Sequence, residues 1–284
     1  MFKDIRKFVY RVLTGLLLTF IFFYSVFENK FVFYVMVIFF QIAAIFELKK
    51  MFSEKVDILA WIFFTLWIDT IVLVDLYNYQ LISNLSIFNR SMFSIFFLGN
   101  IFLMILIILK NIMSSRNVDN QRIFFSIITE FFLFFYYVSS LCLSLILFEI
   151  KNGLLMLLIV VTNYCHDIFA YFSGKLFGKR GFFTNISPSK TIEGYIGGSV
   201  MSFGVGILVA DILGIFDLGL YRILAMIFLI SSLCPFGDLF ESITKRVAGV
   251  KESGSILPGH GGILDRLDSL IFSLFISSVI LFVV

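Results

Sequence analysis

Nine stretches rich in Leu, Ile, Val and Phe follow one another along this chain, at about residues 9–27, 31–48, 56–76, 93–113, 124–148, 154–172, 193–214, 220–237 and 267–284. Each is roughly long enough to cross about 30 Å of hydrocarbon at about 1.5 Å per helical residue. In lipid every backbone N–H and C=O must be satisfied inside the protein, so repeated runs of this length commit the chain to helices. The expected fold is an all-α integral membrane protein with about nine transmembrane helices. The second run is short, the fifth is long, and the seventh is diluted by glycine. Composition agrees: 60% of the residues are hydrophobic and only 14% charged, with 39 Phe, unlike an ordinary soluble domain. Arg6, Lys7 and, at the very start of the first run, Arg11 lead into an apolar stretch, but no small-residue cleavage site follows, so that run reads as a span rather than a cleaved signal.

Orientation follows from the basic residues. With the N-terminus in the cytoplasm, eighteen of the 22 Lys and Arg fall inside, and only Lys30, Arg90, Lys151 and Arg222 fall outside. The bias survives without the polar second half: before residue 170 it is ten against three. The positive-inside rule thus places the N-terminus in the cytoplasm and the C-terminus outside. The net charge of +3 is too small and too dispersed for a nucleic-acid partner. Cys142, Cys165 and Cys234 lie in apolar runs without metal-ligand spacing and read as small packing residues, with no disulfide.

The two halves differ in kind. Residues 1–150 form a plain N-terminal region of about five spans. Residues 151–284 form a C-terminal catalytic region with two long cytoplasmic connections, 173–192 and 238–266. The second connection is the densest polar segment in the chain. Asp265 and Asp268, three apart at the start of the last span, share one helix face and suit Mg²⁺, a hard cation that takes oxygen ligands. Alone, the pair reads equally as acidic residues answering the positive end of a helix dipole. The preceding Gly259-His260-Gly261-Gly262 tips the balance, because glycines allow backbone amides to converge on an anion. Asp238 and Glu241, at the end of the eighth run, are not explained by a basic helix flank, although Lys245 and Arg246 are. Asp238 is a candidate metal ligand, and Lys245 and Arg246 are candidate phosphate ligands.

Asn163 and Asp167 lie four apart on one face of the sixth run, and an ionisable residue inside a span marks function by default. The neighbouring His166 reads as a hydrogen-bonded packing residue. Lys190 stands at the N-terminus of the seventh run, where amides already favour anions. Gly194, Gly197 and Gly198 suit close helix packing rather than ligand contact. His260 reads as a phosphate-contacting side chain, with a packed turn residue as the alternative. Asp69 and Glu130, isolated in their spans, carry no assignment.

At these residues the chain resembles the phosphatidate cytidylyltransferase family, also called CDP-diacylglycerol synthases. The family signature runs through Ser242, Lys245, Arg246, Lys251, Gly254, Leu257, Pro258, His260, Gly261, Gly262, Ile263, Asp265, Arg266, Leu267 and Asp268. Similar segments occur in the family's order at Asp167–Gly174, Ser187–Gly198 and Gly237–Ser242, so the likeness covers about residues 160–270. Two positions depart: Thr244 replaces an apolar residue, and Glu252 replaces the Asp after Lys251, lengthening that carboxylate's reach by one methylene.

The resemblance implies a magnesium-dependent nucleotidyltransferase of phospholipid biosynthesis that converts CTP and phosphatidate to CDP-diacylglycerol and pyrophosphate. A phosphatidate oxygen attacks the α-phosphorus of CTP, and the carboxylate count permits a second cation. Carried over residue by residue, Asp238, Asp265 and Asp268 hold metal with support from Asp167. Asp238, Lys245, Arg246, Asp265 and Asp268 form the catalytic group. Lys190, Ser242, Lys251, His260, Gly261, Gly262 and Arg266 bind the substrates. The resemblance further implies a multi-pass protein of the plasma or inner membrane, with a cytoplasmic site, acyl chains entering from the bilayer, and a homodimer. Other readings are a different CTP-using lipid enzyme (a polyprenol kinase or a CDP-archaeol-type synthase) and, from Asp69, Glu130 and Asp167, a transporter. The full Pro-x-His-Gly-Gly signature argues against a kinase, and the concentration of polar residues in connections rather than at midplane argues against a transporter.

Overall fold

The computed structural model describes residues 2–52, 61–62, 64–70, 72, 98, 100, 105, 107, 128–183, 187, 190–257, 259 and 261–283. The fourth apolar run falls largely outside them. Among the described residues the chain is helical and has no strand, only two isolated bridges, Gly181 with Thr191 and Leu257 with Gly261. The helices are α1 (Phe2–Phe27), α2 (Lys30–Met51), α3 (Ser140–Glu149), α4 (Leu154–Phe177), α5 (Ile192–Ile212), α6 (Leu220–Val247) and α7 (Leu264–Val283).

Five helical stretches among the described residues are long and apolar enough to cross a membrane: Val9–Phe27, Lys30–Met51, Ile128–Phe177, Ile192–Ile212 and Leu220–Val247. The third is 50 residues long, which is too long for one crossing. It is broken where Lys151 (φ 55°), Asn152 (φ 52°) and Gly153 (φ 85°) all take left-handed backbone, and α4 begins directly after them. The seventh apolar run forms α5 despite its glycines.

The chain divides into two compact units, one of residues 1–33 and 147–284 and the other of residues 34–146. In the second unit, a π-helical turn (Phe134–Ser139) leads into α3. Trp61 packs edge-on against Phe134 with ring centroids 5.2 Å apart. The Gln41 amide donates to the buried Asp69 Oδ1 at 3.2 Å, so Asp69 pairs across helices.

The first unit carries the polar connections. Its core is a face of α6 spaced as a helix requires (Ile223, Met226, Ile227, Ile230), with Leu155, Leu158 and Ile159 of α4 and Ile271 and Leu274 of α7 also buried. Thr191 caps α5 by accepting a hydrogen bond from the Gly194 amide at 3.1 Å. Along α5, Gly194, Gly198, Ser202, Gly206 and Ala210 form a buried stripe with a repeat of four. A Cβ at Gly194 would lie 2.8 Å from the Ala170 carbonyl oxygen, and one at Gly206 would lie 2.5 Å from Ile227. Gly194 therefore brings α5 against α4 at backbone distance, and Gly206 makes room for the Ile227 side chain of α6, the packing expected where the bilayer supplies no hydrophobic drive between helices. Asn163 of α4 is wholly buried. It donates to Ser269 Oγ at 2.9 Å and accepts from Ser273 Oγ at 2.7 Å, tying α4 to α7.

Candidate active site

The site grows from one face of α6. Asp238, Glu241, Ser242 and Lys245 stand at offsets of zero, three, four and seven, so they share a face over two turns. Ser242 Oγ donates to Asp238 Oδ1 at 3.4 Å. Facing them is the first turn of α7, with Asp265 and Asp268. The crossing is tight: a Cβ on Gly237 would lie 2.5 Å from the Asp268 carbonyl oxygen and 2.9 Å from Ser269 Cα. Backbone contact thus sets the separation of the carboxylates that α6 and α7 contribute.

Asp238, Glu241 and Asp268 converge, each offering an oxygen within 4.8 Å of the others. Glu241 is buried, 2% exposed. Lys245 pairs with Glu241 and with Asp265 Oδ1, the latter at 2.7 Å. Lys190, just before α5, pairs with Asp238 Oδ2 at 2.5 Å. Two lysines therefore stand against three convergent carboxylates and Asp265. All-oxygen donors, partly or wholly buried and mutually repulsive, are the chemistry a hard divalent cation requires, so Asp238, Glu241 and Asp268 fit Mg²⁺.

Asp265 is engaged differently. Its Oδ2 accepts from the Gly262 amide at 2.9 Å and the Ser253 amide at 3.1 Å. Burial alone would push this carboxyl up, but the hydrogen bonds from Lys245 and the Gly262 amide outweigh it and hold the group below the usual Asp value. Asp265 thus fixes the glycine loop, where Gly259 (φ 78°) and Gly261 (φ 88°) adopt the left-handed backbone glycine permits.

Beside the carboxylates, a cavity of about 510 Å³ is lined by Asp167, Lys175, Lys190, Thr191, Tyr195 and Asp238, among others. That volume is typical of the roughly 300–1,000 Å³ of small-molecule sites. Phe182 stacks on Tyr195 in its wall, ring centroids 5.0 Å apart. Asp167 faces this cavity and lies near enough to Asp268 for their charges to act on each other. His166 also lines it. The ring is buried, and neither nitrogen has a hydrogen-bond partner among the described residues.

The residues singled out from sequence thus fall into three groups. Asp238, Lys190, Ser242, Lys245, Asp265 and Asp268 are joined by the contacts above, with Asp167 adjoining. Gly261 and Gly262 form the loop held by Asp265, while Arg246, Lys251 and Arg266 are exposed on its borders. His260 lies outside the described residues. Glu241, absent from the sequence-based set, belongs to the carboxylate cluster. Its spacing, three residues after Asp238 and four before Lys245, was the available signal. Arg11 was also missed: from α1 its Nε donates to the Gly259 carbonyl at 2.6 Å.

Comparison with known proteins gives the same direction. A phosphatidate cytidylyltransferase of Helicobacter pylori is 47% identical over 120 residues, covering 42% of this chain and 43% of that protein. One of Staphylococcus aureus is 41% identical over 150 residues, covering 53% and 54%. One of Thermotoga maritima is 40% identical over 120 residues, covering 41% and 44%. The matched part of the chain spans about half the length of these curated relatives. The model of the cytidylyltransferase family matches residues 9–284. With the match running over nearly its full length, the chain belongs to the cytidylyltransferase family.

Proposed function

We propose that this protein is a phosphatidate cytidylyltransferase. A phosphate oxygen of phosphatidate forms a bond to the α-phosphorus of CTP, the bond from that phosphorus to the β-phosphate bridging oxygen breaks, and pyrophosphate leaves. The attacking oxygen is already anionic near neutral pH, so no base is required. The observation that carries this reading is the convergence of Asp238, Glu241 and Asp268, edged by Lys190 and Lys245, beside a cavity of small-molecule size. Two anionic substrates must be brought together, which is chiefly an electrostatic task.

In this reading Asp238, Glu241 and Asp268 hold Mg²⁺, with Asp167 adjacent and room in the carboxylate set for a second cation. When bound, the metal neutralises phosphate charge and polarises the reacting phosphorus. Lys190, Arg246, Lys251, His260 and Arg266 bind phosphate groups, with Gly261 and Gly262 lending amides. Lys245 holds Glu241 and Asp265 in place. Asp265 shapes the glycine loop, and joins the metal ligands only if Lys245 releases Oδ1. The acyl chains remain in the bilayer. The arrangement of nine spans, cytoplasmic N-terminus and external C-terminus, a plain region 1–150 and a catalytic region 151–284 belongs to the same proposal. So do the cytoplasmic site and the homodimer.

The test is Mg²⁺-dependent transfer from CTP to phosphatidate by the purified protein, with separate cytidine and γ-phosphate labels. Cytidine label in the lipid supports the proposal. γ-Phosphate alone in the lipid makes the protein a lipid kinase, and no transfer beside an active control enzyme removes the proposal.

A further inference from the structure

Arg11 is part of no motif, yet its Nε reaches across 248 positions to the Gly259 carbonyl at 2.6 Å. That bond occupies one of the five guanidinium N–H donors. The other four, on Nη1 and Nη2, have no partner among the described residues. The guanidinium is exposed and held at its inner edge by the turn that leads to Gly261 and Gly262. A planar fork fixed on one side and open on the other matches the geometry of a bidentate phosphate contact.

The rest of α1 indicates where such a phosphate comes from. Only 6% of the stretch Val9–Phe27 is buried, and Leu13, Leu16, Leu17 and Phe20 are exposed. A helix of this composition turns those side chains to lipid tails. Arg11 is the third residue of that stretch, at the end where a span would meet the headgroups. A lipid lying along α1 therefore brings its phosphate to Arg11, one hydrogen bond from the glycine turn. A water-soluble nucleotide entering the cavity of Asp167, Lys190 and Asp238 has no need of this position.

We propose that Arg11 binds the phosphomonoester of the lipid substrate, holding it against the Gly259–Gly262 turn. This inference rests on the proposed reaction for its choice of lipid, but its test requires no turnover. Wild-type protein, Arg11→Gln and Arg11→Lys are titrated in detergent, without CTP, with phosphatidate, phosphatidylglycerol or phosphatidylcholine, and bound lipid is counted by native mass spectrometry. Hydrogen exchange at residues 249–263 is followed in parallel. The expected result is phosphatidate binding weakened about 10-fold in Arg11→Gln, equivalent to losing one charge-assisted contact. Partial recovery is expected in Arg11→Lys, with phosphatidylcholine unchanged. Equal weakening for phosphatidylglycerol would make Arg11 a general anchor to anionic membranes and overturn the proposal. Loosened exchange at 249–263 with undiminished phosphatidate binding would leave it a loop-positioning residue and likewise overturn it. A wild type that binds phosphatidate through Arg11 but transfers no cytidine removes the proposed reaction and leaves this inference standing.

Discussion

Lys245 and Asp265 form an ion pair at 2.7 Å between the end of α6 and the first turn of α7. The same ammonium holds the buried Glu241, so one lysine serves two carboxylates. Replacing Lys245 with Met leaves Glu241 buried without its cation, which costs about 3–5 kcal/mol when a buried pair is broken from one side. The expected outcome is a large fall in thermal stability in detergent, together with loss of cytidylyl transfer. Lys245→Arg, which keeps the charge, should retain more stability than Lys245→Met. Equal stability of wild type and Lys245→Met would remove the pair from the structural account.

The depressed Asp265 carboxyl gives a pH dependence of definite sign. Its folded value lies below the ordinary value of 3.8, so the stability it contributes is fully present above that value. It is lost as pH falls through the folded one. Hydrogen exchange at Ser253 and Gly262, the amides it accepts from, should stay slow at pH 5–7 and accelerate, beyond the intrinsic trend, only below about pH 4. In Asp265→Asn the acceleration should already be present at pH 7.

Gly237 separates two kinds of glycine. A methyl there would meet the Asp268 carbonyl and Ser269 Cα, backbone atoms that cannot swing aside. Gly237→Ala should therefore cost about 1–3 kcal/mol and lower cytidylyl transfer at least about 10-fold, by moving Asp268 from Asp238. Gly204, in the middle of α5, has nothing within 4 Å of its would-be Cβ. Gly204→Ala should be neutral or stabilising by up to about 1 kcal/mol. Denaturation of both variants in the same detergent decides the contrast.

Glu241 and Asp268 should govern cation affinity rather than nucleotide affinity. Glu241→Gln and Asp268→Asn are each expected to raise the Mg²⁺ concentration for half-maximal rate by about 10-fold or more, with a smaller change in the KM for CTP. Manganese titration followed by electron paramagnetic resonance reads the same loss without turnover. Unchanged manganese binding in both variants would take the cation away from this cluster.

The helical class was legible because membrane physics ties apolar run length to helix. The polar half was legible because Asp265, Asp268, Lys245 and the glycines sit close in sequence. What escaped was long-range. Asn163 and Asp167 share a helix face by spacing, but one turn of depth separates their fates. Asn163 is consumed by Ser269 and Ser273, while Asp167 opens on the cavity. Glu241 was visible as an oddity, yet only the crossing of α6 and α7 at Gly237 makes it a neighbour of Asp268. Nothing local to Arg11 announces a contact 248 positions away.

The face of α6 that carries Asp238, Glu241, Ser242 and Lys245 has one more consequence. These side chains point together only because their offsets stay in phase with a turn of about 3.6 residues. Adding or deleting a single residue between Asp238 and Lys245 would swing everything beyond it by about 100° around the helix axis, sending the lysine away from Asp265 with every side chain chemically intact. Genetic tolerance of this segment should therefore be set by length before composition: many point changes on its outer side can survive, while one-codon insertions and deletions cannot.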